Sequence, residues 1–406
     1  MESKLSDLRT SSFPKKRKMK VELPQTCTSD EEPYTDPSAS VDCCETVLVD
    51  GKEHVYFPVS KWDYEDLKNL NIFFEERPEP FEEFMLEVKE NFMWKCDCPD
   101  FNEDVRTFSQ MLKETVAFSY DLQTVCQLSK HMYKNKKAIE QKIIDEIECD
   151  VQKAKEGEKD LNLNDLLNRK WMPAVKRFAE ETLKLIKMSL YPLEEGDLLS
   201  VKIEREKERK RAIGQERKEN SPDVPQDCFG SFLKHFSSVF GQMFFLEPDS
   251  VTRKTFYFMD KLVDSTPDSC YLIHREPVPG VIDAPESILS VSQVKQTIKM
   301  NDGTSLSLEE QLGSRVLGQI GAGLFAETNF SLIKPNSLGI IYSETKIIFV
   351  YLKLQNDHYV DVLLKTPLTT EGRISYTQPF DMLNAEDRLK ISDFFYFLGC
   401  LQNKNK

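Results

Sequence analysis

The sequence predicts an α+β protein, with an N-terminal helical domain followed by a C-terminal α/β domain built on a mixed sheet. Three observations predict it. Apolar residues recur at helical spacing between residues 46 and 193. Past Phe229 the pattern changes to short β-branched and aromatic runs interleaved with helical stretches. Hydrophobic residues make up 40% of the 406, with 26 phenylalanines among them, enough to fill the cores of the two folded units expected at this length.

Residues 1–45 combine Ser, Thr, Pro and charge with almost no large apolar side chains, so nothing there offsets the entropy of ordering, and a disordered tail is predicted. Within it, Pro14-Lys15-Lys16-Arg17-Lys18-Met19-Lys20 resembles a monopartite nuclear import signal. Such a run offers extended cationic side chains, here Lys15, Lys16, Arg17 and Lys18, to the acidic grooves of an import receptor. The expected location is the nucleus, and the competing reading is plain solvated charge.

In residues 46–193, Phe81, Phe84, Met85 and Val88 fall on one helical face. Leu112, Val116 and Tyr120 do the same, as do Val175, Phe178, Leu183 and Ile186. Residues 194–227 change character. The alternating charges of Glu204-Arg205-Glu206-Lys207-Glu208-Arg209-Lys210-Arg211 give way to Ser221-Pro222-Asp223-Val224-Pro225, an exposed helix running into a linker.

Residues 228–406 form the α/β unit. A helix is predicted over 232–245, and short strands over 256–258, 270–273 and 288–298. A second helix over 308–325 carries Leu308, Leu312, Val316, Ile320 and Leu324 at intervals of four. Strands over 338–342 and 346–354 follow, joined by Ser343-Glu344-Thr345, and a third strand is expected over 358–364. A closing helix over 385–401 places Leu389, Phe394, Phe395 and Leu398 inward.

The net charge of −14 repels a phosphate backbone over most of the surface, so nucleic acid is a poorer expectation than protein partners. No stretch approaches the roughly 20 apolar residues of a membrane-spanning helix, and no membrane partner is expected. The ten cysteines are dispersed and read as reduced thiols of an intracellular protein. Cys96-Asp97-Cys98 and Cys43-Cys44 lack the spacing of a zinc site. Gly318, Gly321 and Gly323 lie in a helical pattern, where close packing explains them better than phosphate binding.

One constellation carries possible chemistry: Asp283 in Pro279-Gly280-Val281-Ile282-Asp283, then Gln293-Val294-Lys295 at the end of a strand. Residues two apart on a strand project from one face, so Gln293 and Lys295 would point together towards an acid on a neighbouring strand. This order resembles the PD-(D/E)xK superfamily, the restriction-endonuclease-like nucleases, over roughly residues 229–364. The resemblance implies that Asp283 and Gln293 hold magnesium while Lys295 orients water, with Gln311 or Gln319 on the following helix. A Gln where the family usually has Glu removes one negative charge from that site, and no proline precedes Asp283.

The function expected from the whole is a nuclear protein-interaction scaffold with a degenerate nuclease-like domain and no cofactor. The alternatives are a metal-dependent nuclease using Asp283, Gln293, Lys295 and magnesium on DNA or RNA, and a structural adaptor unrelated to nucleases.

Overall fold

Two sheets and the helices packed on them were traced in a computed structural model. It describes residues 46–49, 52–93, 165–190, 226–240, 254–258, 261–265, 267–272, 286–294, 298, 307–364 and 366–403, with scattered positions between 113 and 156. The chain opens on β1 (Thr46–Val49) and β2 (Lys52–Pro58), followed by a 3-10 turn at Val59–Lys61, α1 (Tyr64–Asn69), β3 (Ile72–Phe74) and α2 (Phe81–Met93). After α3 (Asp165–Leu190) and α4 (Gln226–Phe240) come β4 (Lys254–Phe258), β5 (Lys261–Ser265), β6 (Ser269–Leu272) and β7 (Ser287–Gln293). The rest comprises α5 (Leu308–Gln311), α6 (Ser314–Glu327), β8 (Ser337–Ser343), β9 (Lys346–Lys353), α7 (Asn356–Leu364), β10 (Gly372–Tyr376), β11 (Phe380–Asp381) and α8 (Ala385–Asn403).

The larger sheet runs β3-β10-β9-β8-β7-β6 with β11 added on β9, and the smaller runs β1-β2-β5-β4. Parallel pairs (β3 with β10, β7 with β8, β2 with β5) mix with antiparallel ones, which is the mixed α+β architecture the sequence predicts. Segment 46–193 is more than helical, however. Its runs Thr46-Val47-Leu48-Val49 and Ile72-Phe73-Phe74 are β-formers by composition, and its strands join sheets whose other members lie beyond residue 250.

The large sheet is buried on both sides. On one face Leu289, Val291, Ile340, Ile347, Phe349 and Tyr351 pack with Phe84, Val88, Phe178, Phe232, Phe236 and Phe394. On the other, Ile341, Ile348, Val350, Leu352 and Ile374 pack with Trp62, Leu67, Leu317, Ile320 and Leu324. The inward residues expected in the closing helix are there: Phe394, Phe395 and Leu398 are buried in α8, and Leu389 packs against the same core.

The strand expected over 358–364 is helix α7 instead. His358 and Val362 are buried four residues apart while Val360 and Leu364 are exposed, a helical rather than an alternating pattern. The place beside β9 belongs to β10, which pairs with it in antiparallel register. The helix over 308–325 is divided, because Leu312 is extended (φ −116°, ψ 140°) and Gly313 starts a new helix as the N-cap of α6. Ser307 and Glu310 close a reciprocal capping box on α5. The turn from β8 to β9 falls where predicted, with Glu344 in the left-handed region at φ 53°. Leu112, Val116, Tyr120 and Ile186 lie outside the residues whose side chains are described.

Helix α6 is clasped by the N-terminal segment. The Ser60 carbonyl accepts from Arg315 Nε and Nη2 at 3.2 and 3.1 Å and from Gln319 Nε2 at 2.7 Å, and the Tyr64 N–H donates to Ser314 Oγ at 3.1 Å. Burial and the Glu309 carboxylate beside it push the Tyr64 phenol up to about 12. A Cβ on Gly318 would sit 2.3 Å from the Asp63 carbonyl carbon, and one on Gly321 2.3 Å from Leu67 Cδ1. Among the described residues no helix is long and apolar enough to cross a membrane.

These contacts separate two glycines of one helix. Gly318→Ala drives a methyl into backbone that cannot step aside, and should destabilise by about 1–3 kcal/mol despite the better helix propensity of alanine. At Gly323 the nearest atom to an added Cβ is Ser265 Oγ at 3.8 Å, so Gly323→Ala should be neutral or stabilising by up to about 1 kcal/mol. Urea unfolding midpoints of the two variants check this, and equal midpoints would contradict it.

Candidate functional site

Strands β6 and β7 are antiparallel, with Ser269 opposite Val291, so the start of β6 lies beside the end of β7. Pro267 and Asp268 immediately precede β6, and the Gln293 N–H donates to Asp268 Oδ2 at 2.5 Å. On its other side β7 runs parallel to β8, Gln293 standing opposite Tyr342, and the Val294 N–H donates to the Tyr342 carbonyl at 2.9 Å. The adjoining ends of β6 and β7 form the rim of a cavity of about 350 Å³ between α6 and the sheet.

Helix α6 supplies one wall in two stripes four residues apart: Val316, Ile320 and Leu324, and beside them Gln319, Gly323 and Glu327. The sheet supplies the other with Ser290, Ser292, Gly339, Ile341 and Val350, and Ser265 closes one side from β5. Two features keep this space open while the helix stays close. A Cβ on Gly339 would come within 2.9 Å of Leu324 Cδ2 and 3.1 Å of Val350 Cγ2, so glycine there admits the helix. The alternating Ser290 and Ser292 put small hydroxyls where larger apolar side chains would fill the gap.

The lining of the cavity grades from exposed to buried. Ser60 and Asp268 at the mouth are exposed and Ser292, Gln293 and Gln319 half-buried, while Ser265, Ser290 and Glu327 are buried, Glu327 to 2% exposure. Although Asp268 as a residue is exposed, its carboxyl is turned into the rim, where lost hydration raises its pKa above the usual carboxylate range; the N–H of Gln293 offsets this in part.

Of the residues singled out from sequence, Asp283 and Lys295 lie outside the described residues, and Gln293 stands at the rim. Gln319 lines the mouth, whereas Gln311 is buried at the end of α5 and is not part of the lining. Sequence reasoning missed Asp268, Glu327 and the serines. The signal for Asp268 was present in the Pro-Asp dipeptide just before a strand, the feature whose absence was noted at Asp283. Glu327 was signalled by its position eight residues beyond Gln319, on the same helical stripe. Among the described residues, no group of three His, Cys, Asp or Glu side chains converges as a metal site. Comparison of the chain with protein-family models, curated proteins and solved structures finds no match.

The Asp268 shift has a testable sign. The folded carboxyl ionises above the ordinary 3.8, so between that value and its folded pKa the folded state holds more protons than the unfolded chain. Its contribution to stability therefore falls as pH rises through that window and is recovered as pH drops. Asp268→Asn keeps an oxygen for the Gln293 N–H and removes the charge, so the decline of stability across the window should be shallower in the variant. Urea unfolding at a series of pH values measures this, and identical slopes for both chains would refute it.

Proposed function

We propose that the chain is a nuclear protein-interaction scaffold whose α/β body is a degenerate nuclease-like domain. The meeting of Pro267-Asp268 with Gln293 at the adjoining ends of β6 and β7 carries this reading. It gives the Gln-x-Lys run an acid just ahead of the neighbouring strand, preceded by the proline that Asp283 lacks, and the crossover from β7 through α6 to parallel β8 follows in the order the resemblance implies. In this reading Asp268 takes the place first expected of Asp283.

The same contact argues for decay of the metal site. Asp268 Oδ2 is engaged by a main-chain N–H, lost hydration raises its carboxyl above the usual carboxylate range, and Gln293 brings no charge where a second acid is usual. Magnesium is held mainly through carboxylates and keeps its waters tenaciously, so this donor set does not fit it. The acidic chain and the import-like run, which lies outside the described residues, fit a nuclear protein that meets other proteins. The metal-dependent nuclease remains the second reading, favoured by one observation: Glu327 puts another carboxylate on the same cavity.

The purified full chain should show no magnesium- or manganese-dependent cleavage of single- or double-stranded DNA or RNA. Cleavage that disappears on Asp268→Ala while the fold persists would replace the scaffold reading by the nuclease one. Replacing Lys15, Lys16, Arg17 and Lys18 together with alanine should move the protein towards the cytoplasm, seen by imaging a fluorescent fusion. Undiminished nuclear accumulation would remove this run from the argument.

A further inference from the structure

The outward face of α2 runs against the local rules that favour a solitary helix. Phe84, Val88 and Phe92 fill the core, while the opposite side presents Glu82, Leu86 and Glu90 at intervals of four with Glu83 beside them, all exposed. Leu86 is 59% exposed. Glu82 and Glu83 suit the first turn, but Glu90 stands in the last turn, where it opposes the helix dipole and no basic residue offsets it. Among the described residues none of these three carboxylates has an ion pair. The lysines beside the stripe serve other groups: Lys353 Nζ meets Glu87 Oε2 at 2.7 Å, and Lys89 Nζ stands over the Phe397 ring at 5.4 Å. Half-buried Glu79 registers the surplus of negative charge. Lost hydration raises its carboxyl above the usual range, and Glu87 and Glu83 add to the rise against the pull of Lys353.

We propose that residues 15–20 of this chain dock along the outward face of α2, with Met19 on Leu86 and the cations against the carboxylates. A lone exposed leucine calls for no partner, but one set among unpaired carboxylates suits an apolar side chain set among cations. Lys15-Lys16-Arg17-Lys18-Met19-Lys20 has that composition, five cations and one apolar residue with no acid, and no other six-residue stretch of the chain holds five cations. The spacing agrees as well. In an extended segment Arg17 and Met19 project from one side about 7 Å apart, and positions four apart on α2 stand about 6 Å apart along the helix, so Met19 on Leu86 sets Arg17 over Glu82 or Glu90. The lysines reach the remaining carboxylates on flexible four-carbon stems. Residues 21–45 join the run to β1 with up to about 85 Å of chain when extended, and such a tether lets ion pairs that are individually weak hold the segment in place. An import receptor then competes with α2 for the run, which makes the contact an autoinhibitory mask. That consequence rests on the import reading; the contact itself does not.

The test is zero-length carbodiimide coupling of the full chain, which joins lysine amines to carboxylates in contact, read by peptide mass spectrometry. Lys15, Lys16, Lys18 and Lys20 should be joined to Glu82, Glu83 and Glu90 in preference to other exposed carboxylates of the folded body. In an equal mixture of isotopically light and heavy chains the joined peptides should carry a single isotope, as docking within one chain requires. Leu86→Gln, an exposed change that keeps helix propensity, should lower the yield of these links at least about threefold. Salt at about 0.5 M should lower it similarly by screening. Circular dichroism checks that the variant is folded, and if it is not, the link pattern and salt response of the unaltered chain decide. Links spread evenly over exposed carboxylates, mixed-isotope pairs, undiminished yield in folded Leu86→Gln, or insensitivity to salt would each overturn the proposal. Its failure is separable from failure of the import reading: unmoved localisation on alanine replacement of the run strikes import and leaves the links, whereas missing links strike the mask alone.

Discussion

Phe349, on β9, touches the rings of Phe81, Phe84, Phe380, Phe394 and Phe395 at centroid separations of 5.1 to 6.3 Å, and this cluster ties α2, β11 and α8 to the middle of the large sheet. Edge-on and tilted geometries dominate, as the quadrupoles of packed rings favour. The neighbouring Ile348 and Val350 point the other way, into the core under α6. Because β9 is hydrogen-bonded to β8 and β10 and dry on both faces, every helix layer of the described fold is positioned through it. Its two lysines mark where dryness ends: Lys346 Nζ donates to the Ile298 carbonyl at 2.7 Å, and Lys353 Nζ meets Glu87 Oε2 at 2.7 Å.

The cavity follows from how α6 is held above this sheet. Close approach at Gly339 and the clasp of the Ser60 carbonyl by Arg315 and Gln319 fix the helix at two places, and between them small residues leave space that the rigid surroundings do not collapse to fill. The N-terminal segment is thus part of the site's construction, since Val59 and Ser60 border the opening.

Local signals were legible in the sequence where periodicity and burial agree. The β8–β9 hairpin, the inward face of α8 and the close-packing glycines Gly318 and Gly321 all follow from patterns of a few residues. Long-range pairings were not legible, because β3 is three residues whose partner β10 lies at the far end of the chain and no local pattern encodes that match. The segment 356–364 misled because its apolar residues suit either period, and only the occupancy of the β9 edge by β10 decides between them. At the site, Gln293 was found through motif order, while Asp268 was passed over for an acid closer in sequence. Spatial adjacency at the start of an antiparallel strand requires register, which a sequence does not display.

The parallel pairing of β3 with β10 joins residues roughly three hundred positions apart. During synthesis the ribosome therefore releases β2, α1 and β3 long before β5, α6 and β10 exist to receive them. The N-terminal strands wait with open edges, a state in which chains associate wrongly or recruit chaperones. Completion of the sheet, and with it of the opening bordered by Ser60, is a late post-translational event. A nascent or prematurely terminated chain lacking β10 leaves β3 without its partner strand.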